Sequence, residues 1–160
     1  MPIKSIHDLD LSAKPGKVYW KNGSREWREE FIYFLLVDRF HDDHTRKPVP
    51  SGGKSVGYGS PTQLQKTCGG TLKGITNHLG YIRDLGCTAL WLSPVFENNA
   101  DSYHGYAIQD YTEVDARFGT RKDLAELVDA AHALNMRVFL DIVLHHSGNN
   151  WFYPSDFEYY

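Results

Sequence analysis

Three short stretches of the chain are apolar at nearly every position, and two longer stretches between them carry apolar residues three or four positions apart. The continuous stretches cover residues 31–37, 87–95 and 136–144. Such runs are typical of strands buried on both faces of a parallel sheet. The spaced patterns cover 71–85, ended by Gly86, and 120–135, which opens with a capping box of Thr120 and Asp123 and closes at Asn135. The order β-α-β-α-β predicts a parallel sheet of the α/β class.

Two connections in this pattern are long, and both follow predicted strands. Residues 38–70 are rich in proline and glycine, and residues 96–119 are rich in Asn, Asp and Tyr, so both are predicted to be irregular. Parallel α/β folds place their sites at the carboxyl ends of the strands. We therefore expect the functional residues in these connections.

Composition narrows the class of partner. The chain has 160 residues, 41% of them apolar, and a net charge of -3, which is typical of a globular domain and excludes a disordered or fibrous chain. The small negative charge predicts no nucleic acid and no anionic membrane as partner. The charged N-terminus lacks the apolar core of a signal peptide, so a cytoplasmic location is expected, with secretion left open if a leader was removed.

The end of the third stretch collects chemistry-bearing side chains. Asp141 lies inside it, where a carboxylate is costly unless it is paired, and a structural and a functional role both stay open. His145 and His146 follow on the same predicted strand, so their side chains are expected to leave opposite faces and not to share a metal ion easily. A zinc hydrolase using this histidine pair is an alternative interpretation.

Aromatic and polar side chains alternate in residues 102–120. Tyr103, His104, Tyr106 and Tyr111 fall within nine residues, close to acids and a glutamine. This mixture suits a sugar, whose C–H face stacks on a ring while its hydroxyls bind polar groups. A packed loop without a ligand is the alternative.

Five segments together resemble one family. They are D-R-F at 38–40, G-G-T-L-K-G-I at 69–75, L-W-L-S-P at 90–94, the Y-H-G-Y to F-G-T stretch at 103–120, and D-I-V-L-H-H at 141–146. In order and spacing they resemble the N-terminal part of the α-amylase family of glycoside hydrolases. The resemblance implies a (β/α)8 TIM barrel of which this chain holds the first three β/α units. It divides the chain into an N-terminal arm (1–30), those three units (31–146) and the start of the domain inserted after strand 3 (147–160).

The resemblance also implies roles for single residues. Tyr106 would be the platform under the sugar at the cleavage subsite, and His104 and His146 would donate hydrogen bonds to its hydroxyls. Asp141 would orient the site rather than perform the chemistry. The implied partner is an oligo- or polysaccharide of the α-glucan class.

The implied metal is Ca²⁺, and the residues at its two positions agree with it poorly. His145 stands where the family pattern has an asparagine ligand, and hard Ca²⁺ disfavours nitrogen. Asp42 is a candidate ligand of a second calcium site that some family members have just after D-R-F, but His44 stands there where an oxygen ligand is often found.

The implied reaction is retaining cleavage of α-glucosidic bonds by two carboxylates, in a double displacement. None of the acids in this chain matches the family's catalytic motifs, so the catalytic carboxylates are expected beyond residue 160, and these 160 residues alone are expected to be inactive. A non-catalytic carbohydrate-binding or scaffold protein built on the same barrel is the alternative.

Overall fold

The computed structural model describes residues 26–43, 67–100, 102–148 and 150. The predicted tail after residue 150 and most of the predicted arm lie outside these residues. The chain divides into two units, residues 1–30 and 31–160, which are described separately. The described part of the first unit is a 3₁₀ turn, Trp27–Glu29, in which the Glu26 backbone N–H donates to Glu29 Oε2 at 3.0 Å.

A three-stranded parallel sheet is the centre of the second unit. Its order is β1 (Ile32–Leu35), β2 (Ala89–Leu92) and β5 (Arg137–Leu140), with β2 in the middle. The register aligns Tyr33 with Leu90 and Leu90 with Val138. The predicted parallel β-α-β-α-β arrangement is thereby confirmed for this part of the chain.

The helices differ in one respect from the prediction. The helix predicted over 71–85 is two helices, α2 (Leu72–Asn77) and α3 (Leu79–Asp84), separated at His78. The His78 ring nitrogen Nδ1 lies 2.9 Å from the Gly74 carbonyl, while its backbone N–H donates to Ile75 instead. The side chain thus occupies the acceptor that a continuous helix would use, and the chain turns there.

The second predicted helix is confirmed as α4 (Arg121–Ala133), including its capping box. Thr120 N donates to Asp123 Oδ2 at 2.7 Å, and Asp123 N donates to Thr120 Oγ1 at 3.2 Å. Asn135 has a φ of 56°, the left-handed conformation that ends a helix. No helix in the described part of the chain is long and apolar enough to cross a membrane.

The prediction that residues 96–119 are irregular is wrong. They contain an antiparallel hairpin, β3 (Phe96–Asn98) and β4 (Ile108–Val114), beside the main sheet. Its register shifts on both sides of Glu97, and its side chains are mostly polar. A short, irregular hairpin leaves no continuous apolar or alternating pattern in the sequence, so the pattern could not predict it.

The main core lies on one face of the sheet. Helices α2, α3 and α4 cover that face, and its buried side chains include Leu35, Leu90, Leu92, Ile75, Ile82 and Leu127. On the opposite face Ile32, Phe34 and Trp91 are 45%, 46% and 41% exposed. Within the described residues the helices pack against one face, and on the other face Ala89 is buried while these three side chains are exposed, so burial of both faces along the whole of each strand stays a prediction.

Candidate functional site

The carboxyl ends of the three parallel strands place their following residues at one edge of the sheet. Ser93 N donates to Leu35 O at 3.0 Å, and Asp141 N donates to Leu92 O at 3.1 Å, which extends the strand pairing by one residue. Asp141 is thus the first residue beyond β5 and is partly exposed. The prediction that it lies inside a buried strand is wrong, because the strand ends at Leu140.

Asp38 follows β1, in the short helix α1 (Val37–Phe40), and is 2% exposed. Its carboxylate accepts the backbone N–H of Cys68 at 2.8 Å and of Gly69 at 3.1 Å. Burial raises the pKa of Asp38, while these two donors and the guanidinium of Arg39 oppose that shift. Asp38 therefore joins the end of β1 to the segment that leads into α2.

The glycines of that segment permit a close backbone approach. Gly70 N donates to the Asp38 carbonyl at 2.9 Å, and a Cβ at Gly70 would collide with the Val37 carbonyl. A Cβ at Gly74 would likewise collide with the His41 carbonyl. The G-G-T-L-K-G-I segment thus seats α2 directly on the turn after β1.

Tyr106 is held at each of its three polar groups. Its backbone N–H donates to His104 Nδ1 at 3.0 Å, and its carbonyl lies 2.9 Å from His146 Nε2. Its hydroxyl donates to Asp141 Oδ2 at 2.7 Å. Burial and the Asp141 carboxylate raise the pKa of Tyr106 to about 12, so the phenol remains a donor across the physiological range.

His104 lies against the Tyr106 ring, with centroids 5.7 Å apart and planes at 26°. Because its Nδ1 accepts the Tyr106 N–H, the neutral ring carries its hydrogen on Nε2. Ser102 Oγ also lies 3.2 Å from Nδ1. Burial lowers the pKa of His104, which favours this neutral form. The pair therefore combines an aromatic face with an N–H donor beside Asp141.

The loop that carries His104 and Tyr106 is anchored by Asn98, a residue that the sequence analysis missed. Asn98 is 6% exposed; its Oδ1 accepts the Ala107 N–H at 2.9 Å, and its Nδ2 donates to the Gly105 carbonyl. Gly105 has a φ of 87°, and a Cβ there would meet the Pro94 carbonyl. An asparagine just before a loop that contains a glycine is the signal that the sequence offers for these contacts of Asn98.

Asp115 and Arg117 support the same loop and were also missed. Asp115 is buried, and its carboxylate accepts the Asn98 N–H at 3.2 Å and the Arg117 side chain. The Arg117 guanidinium donates to the carbonyls of Ala100 at 2.9 Å and Asn99 at 3.2 Å. The start of the loop, at Asn98, Asn99 and Ala100, is therefore tied to one ion pair.

The segment after Asp141 is fixed against the hairpin. The Tyr111 hydroxyl donates to the Val143 carbonyl at 2.6 Å and lies 3.2 Å from the His146 carbonyl. Gly148 N donates to Ile108 O at 2.6 Å. Tyr111, predicted as part of the sugar-facing aromatic group, thus holds the backbone that carries Asp141 and His146.

The two adjacent histidines point toward each other. Their ring centroids lie 4.4 Å apart, and His146 Nδ1 lies 3.3 Å from His145 Nε2. The expectation that their side chains leave opposite faces is wrong, because β5 ends before them and they lie in irregular backbone.

The predicted metal ligands do not assemble a site in the described part of the chain. No three His, Cys, Asp or Glu side chains converge there in a way that could hold a metal ion. His145 offers a nitrogen that faces another nitrogen, whereas Ca²⁺ takes oxygen ligands. The donor set at His145 therefore does not fit calcium, and Asp42 stays a prediction.

The structure thus brings five of the six predicted site residues together: Tyr106, His104, Asp141 and His146, with His145 against His146. Arg39 connects this group to Asp38, the acid after β1. Its guanidinium lies 4.0 Å from the centre of the Tyr103 ring and 3.2 Å from Asp38 Oδ2. The arrangement offers a ring, an N–H donor and a carboxylate to one ligand.

Known proteins that are similar in sequence to this chain include glycosyl hydrolases and a glucanotransferase. The chain is 38% identical over 151 residues to an uncharacterized glycosyl hydrolase of Schizosaccharomyces pombe, covering 91% of this chain and 28% of that protein. It is 36% identical over 149 residues to a cyclomaltodextrin glucanotransferase of Klebsiella oxytoca, covering 88% and 22%. The chain thus spans about a quarter of the length of these curated relatives.

A solved structure is similar to this chain and is likewise covered over about a quarter of its length. The crystal structure of the α-amylase of Geobacillus thermoleovorans, complexed with acarbose, matches with a TM-score of 0.66 and 42% identity, over 79% of this chain and 25% of that one. The family model of the α-amylase catalytic domain matches residues 34–157, which is more than half of the chain. The chain therefore belongs to the α-amylase family of glycoside hydrolases, as an N-terminal portion of the catalytic domain.

Proposed function

We propose that the chain supplies the sugar-binding N-terminal part of an enzyme that cleaves or transfers α-glucosidic bonds of α-glucans by a retaining mechanism. It would form the first three β/α units of a (β/α)8 barrel. The parallel sheet β1-β2-β5, with helices on one face and site residues at one edge, supports this architecture.

The triple restraint of Tyr106 is the observation that carries the proposal. A ring fixed through its N–H, its carbonyl and its hydroxyl presents one orientation to a ligand, so little conformational entropy is lost on binding. The C–H face of a glucosyl unit stacks on this ring. The ligand named for the Geobacillus thermoleovorans structure, acarbose, supports a saccharide as the class of ligand.

Two further groups would hold the hydroxyls of the same sugar. The His104 Nε2–H donates to one hydroxyl, and Asp141, which keeps one oxygen on the Tyr106 phenol, accepts from another. These groups bind and orient. The attacking carboxylate and the acid that protonates the leaving oxygen, which in retaining glycosidases stand about 5 Å apart, would come from polypeptide outside these 160 residues.

Binding of maltotriose to the full polypeptide that contains this chain tests the role of Tyr106. Replacing Tyr106 with Ala removes the ring, and we expect the dissociation constant to rise at least tenfold, or about 1.4 kcal/mol. Tyr106→Phe keeps the ring and loses only the hydroxyl contact with Asp141, so a smaller increase is expected. Equal affinity of wild type and Tyr106→Ala would contradict the platform role.

The reaction is tested separately by proton NMR of the first product formed from a maltooligosaccharide. A retaining enzyme releases the α-anomer, which later mutarotates. An initial β-anomer would contradict the retaining mechanism. Binding of maltotriose without any turnover would favour the alternative of a non-catalytic carbohydrate-binding protein.

A further inference from the structure

His145 is the side chain at this site that the proposed function leaves without a role. It is exposed, and its Nε2 lies 3.3 Å from His146 Nδ1, with the two ring planes at 72°. We propose that His145 is a positioning residue that fixes the tautomer of His146 and, through it, the orientation of Tyr106. This inference rests on the proposed role of Tyr106 as the sugar platform.

Counting hydrogens on the two rings gives one arrangement for the neutral pair. The Tyr106 carbonyl is an acceptor only, so His146 Nε2, 2.9 Å away, must carry the hydrogen of that contact. A neutral imidazole has a single N–H, which leaves Nδ1 of His146 as an acceptor. The facing Nε2 of His145 then carries its own hydrogen and donates it to His146.

We call this series of hydrogen bonds, from His145 to His146 and from His146 to the Tyr106 carbonyl, the relay. Through it His145 affects the orientation of Tyr106 without touching it. Without the donor on His145, the hydrogen of His146 is free to move to Nδ1, which leaves two acceptors, Nε2 and the Tyr106 carbonyl, facing each other. The carbonyl restraint on Tyr106 is then lost, while the restraints by His104 and Asp141 remain. Losing one neutral hydrogen bond of this kind corresponds to about a threefold to tenfold change in affinity.

The relay also accounts for the poor fit of calcium at this position. An N–H that points at a neighbouring ring nitrogen cannot bind a cation, and an imidazole nitrogen is a poor ligand for Ca²⁺ in any case. The imidazole of His145 therefore orders the segment after Asp141 by a hydrogen bond, without an ion. His146 Nε2 meets the Tyr106 carbonyl, and the hydrogen bond from His146 to the sugar stays a prediction.

Three variants of the full polypeptide that contains this chain test the inference. His145→Ala removes the donor, whereas His145→Gln keeps an amide N–H at a similar reach and should restore it. Leu144→Ala is the matched control, since Leu144 is 83% exposed, lies in the same segment and has no polar side chain. The readouts are the ring ¹⁵N chemical shifts of His146 and the dissociation constant for maltotriose, with and without EDTA.

We expect wild-type His146 to show a protonated Nε2 and an unprotonated Nδ1. His145→Ala should weaken maltotriose binding threefold to tenfold and make the two nitrogen shifts of His146 more alike. His145→Gln should return both readouts to near wild type, Leu144→Ala should leave both unchanged, and EDTA should change neither in the wild type.

Three results would overturn the inference. They are a wild-type His146 with its hydrogen on Nδ1, a folded His145→Ala variant with wild-type affinity and tautomer, and a loss of affinity in EDTA equal to that in His145→Ala. If His145→Ala does not fold, the wild-type and His145→Gln shifts decide the question. If the wild type does not bind maltotriose, the proposed function fails, and the ¹⁵N shifts still test the relay.

Discussion

Two aspartates follow the two outer strands of the same parallel sheet, and their environments differ. Asp38, after β1, is 2% exposed and accepts two backbone N–H groups from Cys68 and Gly69. Asp141, after β5, is partly exposed and accepts a tyrosine hydroxyl. A buried carboxylate that accepts two backbone N–H groups and lies beside Arg39 holds the fold, whereas a partly exposed carboxylate that accepts a tyrosine hydroxyl keeps acceptor capacity for a ligand. Both aspartates follow a strand, so position in the sheet does not distinguish the two roles. The burial of each carboxylate and the groups that donate to it do distinguish them.

The largest expected effect is on stability at the Asp38 corner. Replacing Asp38 with Ala leaves the N–H groups of Cys68 and Gly69 without their acceptor, and we expect the free energy of unfolding to fall by about 2–4 kcal/mol. Replacing Asp141 with Ala should lower it by about 1 kcal/mol or less but weaken maltotriose binding about tenfold. Chemical denaturation and calorimetric titration of the full polypeptide measure the two quantities.

Asp84→Ala is the control for this pair, because Asp84 is exposed and its partner, Arg83, is its neighbour in the chain. It should change neither quantity measurably. A comparison in which Asp38→Ala lost affinity without losing stability, or Asp141→Ala lost stability without losing affinity, would reverse the assignment of the two corners.

The sequence predicted the main sheet because its short strands lie in continuous apolar runs and its helices carry apolar residues three or four positions apart. The capping box of Thr120 and Asp123 and the left-handed Asn135 are local features, so they too could be predicted. The break at His78 could not, because it depends on a side chain that takes a backbone acceptor within an unbroken apolar pattern. The hairpin β3-β4 was missed since its polar side chains bond to backbone and carry no periodicity.

The candidate site shows the same division. Tyr106, His104 and Asp141 were predicted from the resemblance to the family, because the aromatic and polar mixture of residues 102–120 and the acid near the end of the third apolar stretch are conspicuous in the sequence. Asn98 and Asp115 were not, since a buried amide and a buried carboxylate that bind backbone look, in sequence, like ordinary loop residues. The residues that we propose to contact a ligand could be predicted, and those that hold the loop in place required the structure.

A smaller effect on maltotriose affinity is expected from the protonation of His104. This residue belongs to the Asp141 side of the sheet edge, so the effect should be absent at Asp38. Burial lowers the pKa of His104 below its ordinary value of 6.5, so the folded protein keeps the ring neutral and its Nδ1 free to accept the Tyr106 N–H. Its contribution to stability is present above pH 6.5 and is lost as pH falls through the lowered pKa. Maltotriose affinity should therefore fall about threefold to tenfold on the acid side.

His104→Asn separates this effect from other titrations. The Oδ1 of asparagine accepts in the place of Nδ1 but does not titrate, so the variant should bind more weakly at neutral pH and lose this part of the pH dependence. Isothermal titration calorimetry over a pH series measures both affinities. An acid-side loss of the same size in wild type and His104→Asn would show that another group is responsible.

The smallest expected effect is spectroscopic and concerns the bond between Tyr106 and Asp141. The pKa of Tyr106 is raised to about 12 from an ordinary value of 10, through burial first and then through Asp141. The neutral phenol is favoured by the fold, so its contribution to stability is complete below pH 10 and is lost as pH rises toward 12. The near-ultraviolet phenolate absorbance of wild type minus that of Tyr106→Phe isolates this one titration among the tyrosines. In Asp141→Asn the acceptor remains but the negative charge is gone, so the midpoint should move from about 12 toward 10 without reaching it, because burial persists. An unchanged midpoint in Asp141→Asn would mean that Asp141 does not act on Tyr106, and the carboxylate at the end of β5 would then resemble Asp38 in holding the fold alone.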